Sequence, residues 1–252
     1  MKILAIIPAR VDSQRYPKKV LKDILGKSML QRVYENACEV GLFDDVVIAT
    51  GDEEIINHIN DFGAVYFKTK EYHPNGTSRC YEVLRELSKS NDYHFVVNLQ
   101  ADEPMLTKKE LIPFIQNLTI MKISTLCTPI KSNETFFTDE NIVKVVFNED
   151  REAMYFSRSQ IPWHPGKFKG LAYRHIGIYA FRVDTMFFLF DKLKQTPGPK
   201  NWLVQSENLE QLTWLVKGYK INLQVIYNYD GISVDTPLDR MEVIRLLKLK
   251  QS

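Results

Sequence analysis

Residues 3–7 read Ile-Leu-Ala-Ile-Ile and run straight into Pro8-Ala9-Arg10-Val11-Asp12-Ser13-Gln14-Arg15-Tyr16-Pro17-Lys18-Lys19, an apolar run that opens into a basic loop. Branched apolar residues in unbroken succession suit a strand covered on both faces. Three more runs of the same kind follow at 46–49 (VVIA), 64–67 (AVYF) and 95–99 (FVVNL). Helical spacing fills the intervals. Met29, Leu30, Val33, Tyr34, Ala37 and Val40 recur at steps of three and four within 28–41, and Ile55, Ile56, Ile59 and Phe62 do so after Asp52. Strands alternating with helices predict an α/β fold with a mainly parallel sheet of βαβ units. Ligands of such sheets gather at the carboxyl ends of the strands.

Beyond residue 120 the pattern loosens. TLCTPI at 125–130 and Val143–Phe147 read as strands around a polar turn at Asn133, and the Pro- and Gly-rich stretch Ile161–Gly170 reads as a loop. A strand at Ala172–Phe181, a TPGP linker in Thr196–Lys200, a helix near Ser206–Lys217, a strand at Ile221–Ile226 and a closing helix after Asp235 complete the chain. No repeat or break in composition marks a second independent domain.

The totals narrow the function classes. With 252 residues, 44% of them hydrophobic, the chain can bury a sizeable core. The formal net charge of +2 gives no sign of the strongly basic surface that nucleic-acid binding needs, so any basic site is local. Cys38, Cys80 and Cys127 form no CxxC pair and are odd in number, which argues against a disulfide framework or a zinc ribbon and fits a reducing cytoplasm. The amino-terminal apolar run stops at Pro8, far short of a signal segment or a membrane span.

Four stretches carry possible chemistry. In the loop after the first strand, Arg10, Arg15, Lys18 and Lys19 can converge on a polyphosphate or simply be a solvated basic loop. Neither GxxxxGK[ST] nor GxGxxG is present, which removes the commonest NTPase and dehydrogenase readings. In Asn98-Leu99-Gln100-Ala101-Asp102-Glu103-Pro104 a carboxylate stands at a strand end, where hard oxygen ligands suit Mg2+. An aspartate after a strand also reads as a helix N-cap, a role for which Thr107 is better placed here. Asp235, before Thr236-Pro237, is either a second metal carboxylate or a helix-start residue. Finally, Tyr72-His73-Pro74-Asn75-Gly76-Thr77-Ser78-Arg79 reads as a turn opening a helix, with Thr77 or Ser78 as its cap. No histidine lies in zinc-binding spacing.

Taken together these blocks resemble the 3-deoxy-manno-octulosonate (Kdo) cytidylyltransferase family. The family's IPARxxSxRxPxKxL loop is matched by Ile7, Pro8, Ala9, Arg10, Ser13, Arg15, Pro17, Lys19 and Leu21, its SGT(D/E)R turn by Asn75–Arg79, and its NxQGDEP motif by Asn98–Pro104. YFSRxxIPW at Tyr155–Trp163, RHxGxY at Arg174–Tyr179, LEQL at Leu209–Leu212 and VDTP at Val234–Pro237 follow in order. The resemblance implies a Rossmann-like nucleotidyltransferase fold in one domain, with 1–130 mainly binding CTP, 131–230 forming a smaller sugar-acid and dimerisation subregion, and 231–252 holding the metal aspartate and closing helix. It implies a cytoplasmic homodimer that converts CTP and Kdo into CMP-Kdo and diphosphate for lipopolysaccharide or capsule synthesis. Arg10, Lys19, Asp102 and Asp235 would be catalytic. Arg10, Arg15 and Lys19 would hold the triphosphate, Gly76, Thr77, Arg79 and Gln100 the cytidine, and Asp102 with Asp235 the Mg2+. Arg158, His175, Tyr179, Glu210 and Gln211 would contact the sugar acid, although by themselves His175 reads as a core histidine and Glu210 and Gln211 as surface helix residues.

This chain departs from the family at three places. Ala101 replaces a usual glycine, Ser78 an acidic residue, and Pro165, with Lys167 as the next cation, an arginine near the sugar acid. The last departure makes a variant ulosonic acid the alternative substrate. A nucleotide-sugar binder without turnover has little use for a complete metal and triphosphate set, and a glycosyltransferase would be expected to show a DxD motif, which is absent.

Overall fold

The computed structural model describes residues 1–118, 121–130, 135–164, 171–195 and 202–251. The expected turn at Asn133, the Pro165 and Lys167 departure and the TPGP linker lie outside them. The chain forms two compact units, Met1–Asn117 with Asp230–Ser252, and Leu118–Tyr229.

In the first unit the strands are β1 (Ile3–Pro8), the two-residue β2 (Asp23–Ile24) and β3 (Lys27–Ser28), β4 (Asp45–Thr50), β5 (Tyr66–Lys68) and β6 (Phe95–Asn98). The helices are α1 (Met29–Glu39), α2 (Glu53–Phe62), α3 (Gly76–Leu87) and α4 (Lys108–Gln116), and Pro237–Gln251 forms the closing helix. β6, β1, β4 and β5 lie side by side and all run parallel, as the alternation predicts. Leu4, Ala5, Ile6, Ile48, Ala49, Val96 and Val97 are almost wholly buried. Each large side chain so covered contributes about 1.5–3 kcal/mol. Helix α3 packs on β1, β4 and β6, and α1 on β1 and β4. The short β2–β3 hairpin turns through Leu25 and Gly26, both at positive φ (53° and 83°), the geometry that two-residue hairpins favour.

The second unit is built from β7 (Ile123–Ile130), β8 (Lys144–Phe147), β9 (Ala153–Ser157), β10 (Ala172–Arg182) and β11 (Asn222–Val225), with helices α5 (Val183–Gln195), α6 (Trp202–Glu207) and α7 (Gln211–Val216). Its pairings are mostly antiparallel: β10 lies between β7 and β8, β9 pairs with β8, and β11 joins β7 in parallel. The rings of Tyr179 and Phe181 meet Trp214 edge-on at 4.9 and 5.0 Å, which ties α7 to the inner face of β10. The single helix expected near Ser206–Lys217 is instead two, because Asn208 adopts φ 52° and Leu209 turns inward between them. Asparagine tolerates that left-handed conformation better than most residues. Among the described residues no helix is long and apolar enough to cross a membrane.

Candidate active site

The basic loop after β1 turns inward at Lys18, a non-glycine residue in the left-handed conformation (φ 55°, ψ 30°) whose ammonium reaches Glu54 at 2.7 Å. Such a backbone costs roughly 1–2 kcal/mol. Its consequence is to direct the next side chain into the unit. Lys19 Nζ lies 2.8 Å from Asp102 Oδ2 and 2.8 Å from Asp235 Oδ1, and Arg15 reaches the other oxygen of Asp235 at 2.8 Å. The Lys19 side chain is only 13% exposed. Burial works to lower its pKa, but the two carboxylates outweigh that and raise it. Burial likewise works to raise the Asp235 carboxyl, and Lys19 with Arg15 draws it below the ordinary carboxylate range.

Neither aspartate is occupied with capping a helix. Thr107 caps α4, in a capping box with Glu110. At the closing helix the amides of Asp235 and Thr236 both donate to Asp239, whose own amide donates to the Thr236 hydroxyl. The carboxylates of Asp102 and Asp235 are thereby left to the cations. Val234 N donates to Asp102 O at 2.9 Å and the Ser233 hydroxyl to Glu103, which stitches the two acidic segments together.

The Lys19 ammonium stands where a cation shared by two carboxylates would stand, and hard oxygen donors are what Mg2+ takes. Among the described residues no group of three or more His, Cys, Asp and Glu converges on one point. Two carboxylates could hold a Mg2+ only where phosphate oxygens and water complete its shell.

Around the start of α3 the structure gathers Gly76, Gln100 and Pro8. A Cβ on Gly76 would come within 3.1 Å of Pro8 Cγ and 3.8 Å of Gln100 Nε2, so the glycine lets the helix start close to the end of β1. The N-cap is Asn75, not Thr77 or Ser78: its side chain accepts from Ser78 N at 2.8 Å, and Ser78 completes the capping box as its third residue. Thr77 is buried instead and accepts from Asn98 Nδ2 at 3.3 Å. Arg79 is only 4% exposed, its guanidinium donating to Thr69 Oγ1 and to the carbonyls of Lys70 and Glu71. Here it fixes the 69–71 segment, and burial first, then the exposed Arg10, disfavours its charge. Ala101 is buried.

The second unit draws its five expected residues from three places. His175 and Tyr179 lie on β10 with ring centroids 5.4 Å apart. Glu210 precedes α7 and raises the Tyr179 phenol, which burial has already pushed well above its usual value. Gln211 is 3% exposed and so is no ordinary surface residue. Arg158 follows β9, where Glu207 accepts from Arg158 N, Ser157 Oγ and Tyr155 OH at 2.9, 2.6 and 3.1 Å. Beneath it Lys144, wholly buried, donates to the carbonyls of Asp139, Ile142 and Arg158 at 2.9, 2.7 and 2.5 Å.

Lys144, Glu207 and Thr125, which touches His175, were not apparent from the sequence. For Lys144 and Thr125 the one available signal was an amine or a hydroxyl inside an otherwise apolar strand, and Glu207, at the end of α6, carried none. A cavity of about 450 Å³ in this unit, lined by Lys122, Glu152, Lys217, Tyr219, Lys220 and Asn222 among others, contains none of the expected residues.

A parallel α/β sheet with cations and paired carboxylates at its strand ends is the arrangement of a nucleotidyltransferase. The cytidylyltransferase family model matches residues 4–221, and the chain belongs to that family. A 3-deoxy-manno-octulosonate cytidylyltransferase of Ruthia magnifica subsp. Calyptogena magnifica is 41% identical over 244 residues, spanning 95% of this chain and 96% of that protein. One from Parabacteroides distasonis is 37% identical over 262 residues, 98% of each chain. The solved structure of a CMP:2-keto-3-deoxy-manno-octonic acid synthetase complexed with CTP matches with a TM-score of 0.86 at 33% identity, covering 99% of this chain and 100% of that one. A 4-diphosphocytidyl-2C-methyl-D-erythritol synthase from Anaerococcus prevotii shares the fold at 15% identity and a TM-score of 0.63.

Proposed function

We propose that this protein is a 3-deoxy-manno-octulosonate cytidylyltransferase, joining CTP and Kdo to give CMP-Kdo and diphosphate. The observation that carries the reading is the meeting of Lys19 and Arg15 with Asp102 and Asp235, a charge set suited to a triphosphate and a divalent cation. Relatives of 37–41% identity over nearly the whole chain bear the same name, which supports Kdo as the acid.

The anomeric hydroxyl of the sugar attacks the α-phosphorus of CTP and loses its proton to water, a bond forms from that oxygen to phosphorus, and diphosphate leaves with the electrons of the broken P–O bond. Transfer of this kind depends chiefly on positioning and on positive charge where negative charge spreads. Arg10, Arg15 and Lys19 supply that charge to the triphosphate oxygens, while Gly76, Thr77 and Gln100 hold the cytidine and Arg79 fixes the loop beside it. Asp102 and Asp235 would hold a Mg2+. When bound, Mg2+ neutralises phosphate charge and lowers the pKa of a hydroxyl beside it. Arg158, His175, Tyr179, Glu210 and Gln211 take the sugar acid.

The family resemblance supports a homodimer. Cytoplasmic placement is supported by the free cysteines Cys38, Cys80 and Cys127 and by the use of CTP. CMP-Kdo as product points to lipopolysaccharide or capsule synthesis. Diphosphate release measured across the four NTPs and a panel of acidic sugars, with Mg2+ present, tests the reading. Saturable turnover with CTP and Kdo is expected, and preference for another ulosonic acid or absence of turnover overturns the substrate or the activity respectively.

A further inference from the structure

The bulge in β10 is held by one hydroxyl. Between Ile176 and Tyr179 the register against β7 slips, and Thr125 Oγ1 sits in the opening, 2.6 Å from Ile178 O, 3.3 Å from Ile176 O and 2.9 Å from His175 Nε2. A threonine hydroxyl has one proton to give and lone pairs to accept with. Carbonyl oxygens donate nothing, so that proton is committed to the bulge, with Ile178 taking the shorter bond. Only lone pairs remain toward the histidine, and Nε2 must carry the ring proton. In a neutral imidazole the other nitrogen is then bare. The surroundings keep the ring neutral: Phe156 and Tyr179 lie 5.0 and 5.4 Å away by centroid, and burial lowers the pKa to about 3. Among the described residues Nδ1 makes no hydrogen bond to protein, and the residue keeps an accessible edge.

We propose that Thr125 is a positioning residue that locks His175 as the Nε2–H tautomer, so that Nδ1 offers a lone pair to a hydroxyl of the polyhydroxylated acid and cannot serve its carboxylate. The substrate half of this rests on the reading that His175 contacts the sugar acid; the tautomer does not. A donor-reading nitrogen favours a sugar hydroxyl over a deoxy position at that point of the ring, which makes it a determinant of specificity.

Nitrogen-15 NMR of the full-length protein with labelled histidine tests the lock without substrate, the His175 signals being those lost in His175→Gln. Protonated Nε2 and unprotonated Nδ1 are expected near neutral pH. Thr125→Val should mix the tautomers and raise KM for Kdo by roughly 3- to 10-fold, the worth of one ordinary hydrogen bond, while KM for CTP stays as in the wild type. Thr125→Ser keeps the hydroxyl and should restore both readouts. A wild-type Nδ1–H signal overturns the lock. Thr125→Val with an unchanged tautomer overturns the role of Thr125, and mixed tautomers with an unchanged Kdo KM overturn the hydroxyl contact. If Thr125→Val does not fold, the wild-type spectrum and Thr125→Ser still decide the lock. Should the wild type fail to turn over Kdo, the proposed function falls and the spectrum alone judges the tautomer.

Discussion

The amide of Val234 donates to the carbonyl of Asp102 at 2.9 Å, joining two residues more than 130 positions apart in sequence. Because each carboxylate belongs to, or adjoins, a residue of that bond, the backbone sets the separation at which Asp102 and Asp235 both meet Lys19. Replacing either aspartate by asparagine changes charge while hardly changing shape. Asp102→Asn and Asp235→Asn should each lower diphosphate release by about 100-fold or more, since they remove a group acting where charge develops. Circular dichroism should show an unchanged fold, and near-normal rates in Mg2+ would remove the metal assignment.

Lys19 separates two carboxylates that would otherwise repel. Lys19→Met should cost about 1–3 kcal/mol near neutral pH, in addition to a steep rise in the CTP requirement. The pH dependence has a definite shape. The folded pKa of Asp235 is lowered, so its contribution is present above its unfolded 3.8 and lost as pH falls through the folded value. The folded pKa of Lys19 is raised, so its contribution is complete below 10.5 and lost as pH rises through the folded value. The difference between variant and wild type in urea unfolding should therefore be a plateau between these limits and shrink at both ends. A difference independent of pH would assign the loss to packing alone.

The strands at residues 3–7 and 46–49 and the helices at 28–41 and after Asp52 were legible because their signals are local: an unbroken apolar run, or apolar residues at steps of three and four. Cap positions were legible only where one candidate stood alone. Thr107 was recognisable for that reason, whereas Asn75, Thr77 and Ser78 are all competent caps and the backbone chose the first. In the site, Asp102 and Asp235 announced themselves separately as carboxylates next to a strand end and a helix start. What brings them together is a main-chain hydrogen bond, and main chain leaves no mark in a sequence. In the second unit His175, Glu210 and Gln211 sit in contexts equally typical of core or surface, so only the family resemblance singled them out.

Gly51 follows β4, and a Cβ there would fall 2.7 Å from Glu71 Cα and 2.8 Å from Glu71 N and Lys70 O. All three are backbone atoms, in the segment that Arg79 already holds. Gly51→Ala should destabilise by about 1–3 kcal/mol, as overpacking does when neighbours cannot yield. A wild-type urea midpoint would mean that the 69–71 segment gives way freely.

His175 carries a different pH signature from the charge cluster. Its folded pKa of about 3 lies below the ordinary 6.5, so between those values the unfolded chain binds a proton that the folded one refuses. Stability should fall as pH drops below 6.5, by at most about 1.4 kcal/mol per pH unit from this group. His175→Gln should remove that slope in urea titrations over pH 4–6.5, and an unchanged slope would show that other groups dominate it.

Lys144 is a wholly buried lysine whose ammonium is satisfied by carbonyls rather than by a carboxylate. Burial lowers its pKa, and three oriented carbonyl dipoles are what make the charge tolerable in the interior. One of those carbonyls belongs to Arg158, whose amide and side chain are also held by Glu207, so the lysine fixes the backbone from which a proposed substrate residue projects. Lys144→Met would fill the space but leave three buried carbonyls without that donor, at about 1–3 kcal/mol for each group that finds no water. The variant should melt earlier and show a raised KM for Kdo, with KM for CTP unchanged because the triphosphate residues belong to the other unit. A variant that melts earlier but keeps its Kdo KM would reduce Lys144 to a stabilising residue; a rise in both KM values would show that the effect is not confined to the Arg158 segment.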